Sequence, residues 1–300
     1  MTQAPATPKL RRAATLARAS LGLPAPAPLA ASETAALRLR ARGPARAAPE
    51  GVVFLIPFVG RHHVGDWDAV TGRLAATVES LRRQSDPRWR ALICGQDRPD
   101  LPEDARVTFL PFKTPVEGND KWAKLDMLAR ALPHAGLGAG YVMSFDADDL
   151  AHPALVPEML AREVAGGWLA AEGYVRDAAT GAVARAAPPT PAAPLRKPFW
   201  KLCGSCAALR FDLAQEPETT AFLAAMTAHE HRMFPYLAAL AGRRLSRLPR
   251  PLVLYELNHG ENFGLRRGRV GFKTRFVARF AVGAAEREAV ARAFPSPDAP

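Results

Sequence analysis

The feature that most limits what this chain can fold into is an alternation: a short, wholly apolar run, a stretch with apolar residues at helical spacing, then another apolar run. "GVVFLIPF" (51–58) is continuously apolar and is stopped by Pro57, the pattern of a strand buried on both faces. Leu74, Val78 and Leu81 then recur at helical spacing in a segment that ends before Pro87. "RWRALICGQD" and "RVTFL" read as two more strands. "NDKWAKLDMLARAL" reads as a helix with Asn119 or Asp120 at its N-cap and Leu125, Leu128 and Leu132 inward, and "GYVMSF" (140–145) as a fourth strand. Such an order predicts an α/β fold with a mostly parallel, Rossmann-like central sheet flanked by helices and a ligand crevice outside the carboxyl ends of the strands.

Beyond His152-Pro153 the reading continues with a helix, "GGWLAAEGYV", a turn around Thr180-Gly181, and "AAPPTPAAPLRKPFW" as a mobile surface loop. "KLCGSCAALR" is expected as a strand, 229–241 as a helix ending at Gly242, and "PLVLYEL" as a last strand.

Charge decides which partners to set aside. The chain carries a net charge of +11, but residues 1–50 hold eight Lys/Arg against two acids and 261–300 hold eight against four. The central part is therefore balanced, which excludes a basic nucleic-acid-binding domain. The layout expected is a disordered Ala/Pro/Arg-rich tail over 1–48, one domain over 49–265, and a basic amphipathic helical extension over 266–300. In that extension Phe272, Phe276, Val277 and Phe280 share a helical face ringed by Arg and Lys, the make-up of a peripheral membrane contact or of a helix packed on the domain. Three cysteines, Cys94, Cys203 and Cys206, are too few for a disulfide framework, and no apolar run approaches the ~18 to 20 residues of a membrane span. A cytoplasmic location, peripheral to the inner membrane face if the extension binds lipid, is the expectation.

The chemistry concentrates where the fourth strand ends, in "SFDADDLAHP". Three carboxylates within four positions, Asp146, Asp148 and Asp149, repel one another and resist desolvation unless water or a cation sits among them. Residues i and i+2 of a strand point the same way, so Asp146 and Asp148 can address one point at the mouth of the crevice. Mn2+ or Mg2+ suits two carboxylates plus substrate phosphate oxygens. A solvated turn capping the next helix accounts for the same triplet. A calcium loop is excluded, because Ala151 and Pro157 stand where it needs Gly and Glu.

Several pieces in order resemble the GT-A glycosyltransferases of the family 2 type: the strand ending in "IPF", "SLRRQSDPRWRALICGQD", "NDKWAKLDML", "SFDADDLAHP" and "AGRRLSRLPRPLVLYELNHGEN". The resemblance runs from Val52 to about Asn262. It implies a metal-dependent, inverting transfer of a sugar from a nucleotide-sugar donor to a glycan or lipid-linked acceptor hydroxyl, in polysaccharide or envelope glycan synthesis. Carried over by position, Pro57 and Asp97 would border the nucleotide's base and ribose. Lys121 or Lys124 would approach its phosphates or base, or else lie on a solvated helix face. Asp146 and Asp148 would be the metal-binding pair, and His259 a late histidine completing the metal site.

The chain departs from the family pattern where a Glu-Asp pair should begin a late helix and supply the base. Glu230 and His231 stand there. Imidazole can deprotonate a hydroxyl near neutral pH, so His231 leads, with Glu230 and His229 behind it. Two other classes compete: a haloacid-dehalogenase-like phosphatase, which also sets Asp-x-Asp after a strand but needs a second acidic pair downstream, and a non-catalytic nucleotide-sugar-binding protein. The Cys203–Cys206 spacing mimics a redox pair, yet small buried residues account for it better.

Overall fold

The computed structural model describes residues 3–260 and 270–295. In chain order these form α1 (Lys9–Ser20), α2 (Ala31–Ala41), β1 (Gly51–Pro57), α3 (Trp67–Arg82), β2 (Trp89–Gly95), β3 (Val107–Pro111), α4 (Lys121–Arg130), β4 (Ala139–Ser144) and β5 (Leu150–Ala151). There follow α5 (Leu155–Leu160), β6 (Gly167–Leu169), β7 (Gly173–Asp177), β8 (Val183–Ala186), β9 (Ala207–Asp212), α6 (Thr219–Thr227) and α7 (Phe234–Leu240). The last elements are β10 (Ser246–Arg247), β11 (Val253–Leu257), α8 (Val270–Arg279) and α9 (Ala284–Ala293).

A seven-stranded sheet in the order β10-β6-β9-β4-β1-β2-β3 runs through the centre, and its β4-β1-β2-β3 half is parallel. Every residue of β1 is buried, as its unbroken apolar run requires, because helices cover both faces. α3 starts where the Asp66 side chain accepts from Ala69 N, and it buries Leu74, Val78 and Leu81 against the sheet. α4 starts beside Asn119, whose side-chain oxygen accepts from Lys121 N, and buries Leu125 and Leu128. β1 is flanked by β2 on one side and β4 on the other, so the strand order reverses at the β1/β4 pair. Their carboxyl ends define the crevice of an open α/β sheet.

Three expectations are corrected. β11 does not join the central sheet: it belongs to a second sheet, β5-β11-β7-β8, which closes over the crevice, and "GGWLAAEGYV" is divided between β6 in one sheet and β7 in the other. Residues 3–48, expected within a disordered tail, are not disordered. α1 and α2 pack on α6 and α7, Ala36 and Leu39 are fully buried, and Glu33 accepts from Ala30 N, Thr7 Oγ1 and Tyr236 Oη at 2.8–2.9 Å. Alanine-rich chain is the best helix former, and docking supplies what a short isolated helix lacks. The proline-rich connection is anchored at its far end: Phe199 is buried against Gly173, where any Cβ would lie 2.3 Å from its ring. The expected domain boundary at 265 lies outside the described residues.

In the C-terminal extension α8 packs on β7, β8 and β11 and buries Phe276 and Val277. Part of its apolar side is thus turned to the domain, and Phe272 stays exposed. No helix among the described residues is long and apolar enough to cross a membrane.

Candidate active site

The acidic turn after β4 is built by neighbours that fix its backbone first. Phe145 N donates to Leu55 O of β1, Thr77 Oγ1 of α3 donates to the carbonyls of Ala147 and Asp149 (3.0 and 2.9 Å), and Asp146 N donates to Ser205 Oγ at 2.8 Å. Ser205 Oγ in turn donates to Asp149 Oδ2 at 2.5 Å, and Cys203 Sγ approaches the same oxygen at 3.0 Å. Gly204 lets this loop come close: a Cβ there would stand 3.2 Å from Asp146 Oδ2.

These contacts divide the three carboxylates. Asp149 is fully buried, and desolvation, with the charges of Asp148 and Asp146 behind it, pushes its carboxyl well above the usual range. Held by Ser205 and Cys203, it serves as a structural group behind the turn. Asp146 and Asp148 instead face a cavity of about 350 Å³ that opens at the β1/β4 switch point. Desolvation would raise the Asp148 carboxyl, but His259, hydrogen-bonded to it, and the Lys121 charge outweigh that and hold it below its ordinary value.

Three basic side chains from different parts of the chain surround the pair. Lys121, at the start of α4, places Nζ 2.6 Å from Asp146 Oδ1. Desolvation inside the cavity would lower its pKa, and Asp146, with Asp148 and Asp149 beyond, raises it instead. His259 Nε2 lies 2.9 Å from Asp148 Oδ2. Lys273, from α8, also lines the cavity, donates to Tyr255 Oη at 2.8 Å, and stands over that ring. Desolvation draws its ammonium down while Cys203 and the three aspartates oppose it. Sequence reading missed Lys273, because nothing local says that a helix more than a hundred residues downstream returns to the site; Ser205 had no signal beyond its place between two cysteines.

The remaining candidates separate by placement. Pro57, at the end of β1, lines the cavity with Phe58 and Val59. Lys124 also borders it but is neither a solvated residue nor a free cation: its ammonium donates to Phe58 O at 2.7 Å and pairs with Asp120 at 2.8 Å. Asp120 also accepts from Gln96. Asp97 is held off the cavity wall, its carboxylate accepting from Arg61 N at 2.8 Å. Of the three candidate bases only His231 reaches the cavity. Its Nε2 is buried without a hydrogen-bond partner among the described residues, and desolvation lowers its pKa to about 4, so the ring is neutral at ordinary pH. Glu230 occupies the N-cap position of the His231 turn without a side-chain capping bond and lies outside the cavity, and His229 faces the N-terminal helices, 2.7 Å from Ser32 Oγ.

The donor set answers whether a divalent ion fits. Asp146 and Asp148 present hard oxygen ligands to one space, which is Mg2+ or Mn2+ chemistry. Among the described residues, however, no three His, Cys, Asp or Glu side chains are gathered as a ready-made ligand set. The residues therefore fit an ion held by two carboxylates and completed by oxygens of a bound diphosphate, and not a preformed three-ligand centre.

No family model matches this chain, and no curated protein does. Among solved structures it is similar to the mannosyltransferase PcManGT from Pyrobaculum calidifontis in complex with GDP-Man and Mn2+, at 14% identity over 93% of this chain and 81% of that one, with a TM-score of 0.38. A likeness that loose bears no argument about residues or ligands, and the site reading rests on the geometry alone.

Proposed function

We propose that this chain is a nucleotide-sugar-dependent glycosyltransferase of GT-A type. The observation that carries the proposal is the acidic turn at the switch point, with Asp146 and Asp148 facing a cavity also lined by Lys121, Lys273 and His231. In this reading Pro57 and Phe58 border the nucleoside, and Lys121 and Lys273 take the negative charge of the diphosphate. Asp146 and Asp148 would hold Mn2+ or Mg2+, with His259 orienting Asp148 or joining the ion once donor binds. The ion supplies charge neutralisation of the departing diphosphate.

His231 is the proposed general base. The acceptor hydroxyl's proton passes to Nε2 as the oxygen bonds to the anomeric carbon, and the electron pair of the breaking carbon–oxygen bond leaves with the nucleoside diphosphate. This course inverts the anomeric centre. A pKa near 4 makes His231 a weak base but keeps the ring unprotonated at ordinary pH, able to take the hydroxyl's proton as bond breaking leads. Glycan or lipid-linked acceptors are the class in view.

The phosphatase reading is less well supported, because the only other carboxylate on the cavity wall among the described residues is Asp120, already engaged by Lys124 and Gln96. The test is a thermal-shift screen of nucleotide-sugars with Mn2+ present. A ligand bound by the native state raises the melting temperature, and an unshifted Tm across all common donors would count against the proposal.

A further inference from the structure

Helix α1 packs Leu16 on the core yet also presents apolar residues to solvent. Its buried side chains are Thr15 and Ala19, and Arg12 points inward, over the Tyr236 ring and toward Met233 Sδ at 3.5 Å. Its outer face instead carries Leu10, Ala13, Ala14, Ala17 and Leu21, all exposed. Positions 10, 14, 17 and 21 follow one another at helical spacing, so they form a single stripe. Leu10 is 89% exposed, Leu21 74% and Leu23 48%, which are three of the five large hydrophobic residues left in solvent among those described.

The end of the helix is fixed. Gly22 takes a left-handed conformation (φ +69°), Leu23 N returns to Arg18 O at 2.9 Å, and Arg18 Nε donates to Pro24 O at 2.6 Å. Leu21 and Leu23 are thereby held outward by a closed turn. Lys9 and Arg18, both exposed, flank the stripe, and the first acidic residue of the chain is Glu33, buried on the opposite side of the N-terminal segment.

An apolar stripe flanked by cations, with no acidic residue beside it, is complementary to a surface that is apolar beneath and anionic at its rim. We propose that α1, with Leu23, lies on an anionic lipid bilayer, its leucines at the acyl boundary and Lys9 and Arg18 among the headgroups. The membrane contact is thus assigned to the N-terminal helix, since α8 buries Phe276 and Val277 in the domain and leaves Phe272 as its one large hydrophobic residue exposed among those described. Arg12 of α1 touches Met233, in the same short turn as His231, so α1 is tied to the wall where, on the proposed function, an acceptor would meet the base.

The test is cosedimentation of the full chain with phosphatidylcholine vesicles, with and without phosphatidylglycerol. The wild type is expected to bind the anionic vesicles and to leave the neutral ones largely unbound. Leu10→Glu/Leu21→Glu should lower partitioning at least about tenfold without changing Tm, because both positions are exposed, and Phe272→Glu on α8 should leave it unchanged. Failure of the wild type to bind anionic vesicles would overturn the proposal. So would full binding by the double variant, or a double variant that instead converts a dimer to a monomer without lipid. Nucleotide binding is read separately, so the vesicle result and the donor reading can fail independently.

Discussion

Replacing Lys124 with methionine keeps the length and bulk of the side chain and removes one buried charge. The ammonium is 1% exposed, lies 2.8 Å from Asp120 and 2.7 Å from the Phe58 carbonyl, and so ties α4 to the chain leaving β1. Its removal strands Asp120, which is nearly as buried and retains only Gln96, and leaves a carbonyl without its donor. Breaking a buried pair from one side costs about 3–5 kcal/mol, which for a chain of this size lowers Tm by about 6–10 °C. Adding Asp120→Asn removes the stranded charge while keeping an acceptor for Gln96, and should recover about half of that loss. Denaturant titrations of the wild type, the single variant and the double variant measure both terms. A single variant within about 1 kcal/mol of wild type that had lost nucleotide binding would refute the reasoning, because Lys124 would then be a ligand-binding cation and not a strut.

Further outcomes follow from the same geometry. Lys273→Met is expected to weaken nucleoside diphosphate binding about tenfold, the loss of one of two cations at the diphosphate, while leaving nucleoside binding alone; calorimetry with both ligands reads the difference. Acidification should cost stability through His231. The folded ring titrates at about 4 and the unfolded one near its ordinary value, so between those values only the unfolded chain takes the proton, and stability falls as pH drops from about 6.5 toward 4 by up to about 3 kcal/mol. His231→Gln should flatten that dependence in denaturant titrations. Desolvation pushes Cys94 up to about 12 and raises Cys203 and Cys206 as well, so iodoacetamide should modify all three only after unfolding.

Much of the framework was legible because it is local. An unbroken apolar run stopped by proline marks β1, the Leu74-Val78-Leu81 spacing marks α3, and the change from "GYVMSF" to three aspartates marks the end of β4 and the crevice together. What was not legible depends on distant contacts. Ala/Pro/Arg-rich chain reads as disorder until α6 and α7 supply a surface for Ala36 and Leu39. The same apolar alternation in β11 fits either sheet, and only the pairing of Leu254 with Tyr174 and Leu150 assigns it to the second. Lys124 and Lys121 look alike in the sequence; one turn of helix sends the first into the core and the second to Asp146. Asp97 stands after its strand as a ligand residue would, and its carboxylate is turned to the Arg61 amide instead.

The central claim is that Asp146 and Asp148 serve a nucleoside diphosphate leaving group. Release of free nucleoside diphosphate from a panel of nucleotide-sugars, measured with Mn2+, with EDTA, and for Asp148→Ala, tests it most directly. The account predicts release from at least one donor with Mn2+, and loss of that release with EDTA and in Asp148→Ala. Release that is indifferent to both, or cleavage of simple phosphate esters with every nucleotide-sugar left intact, would contradict it.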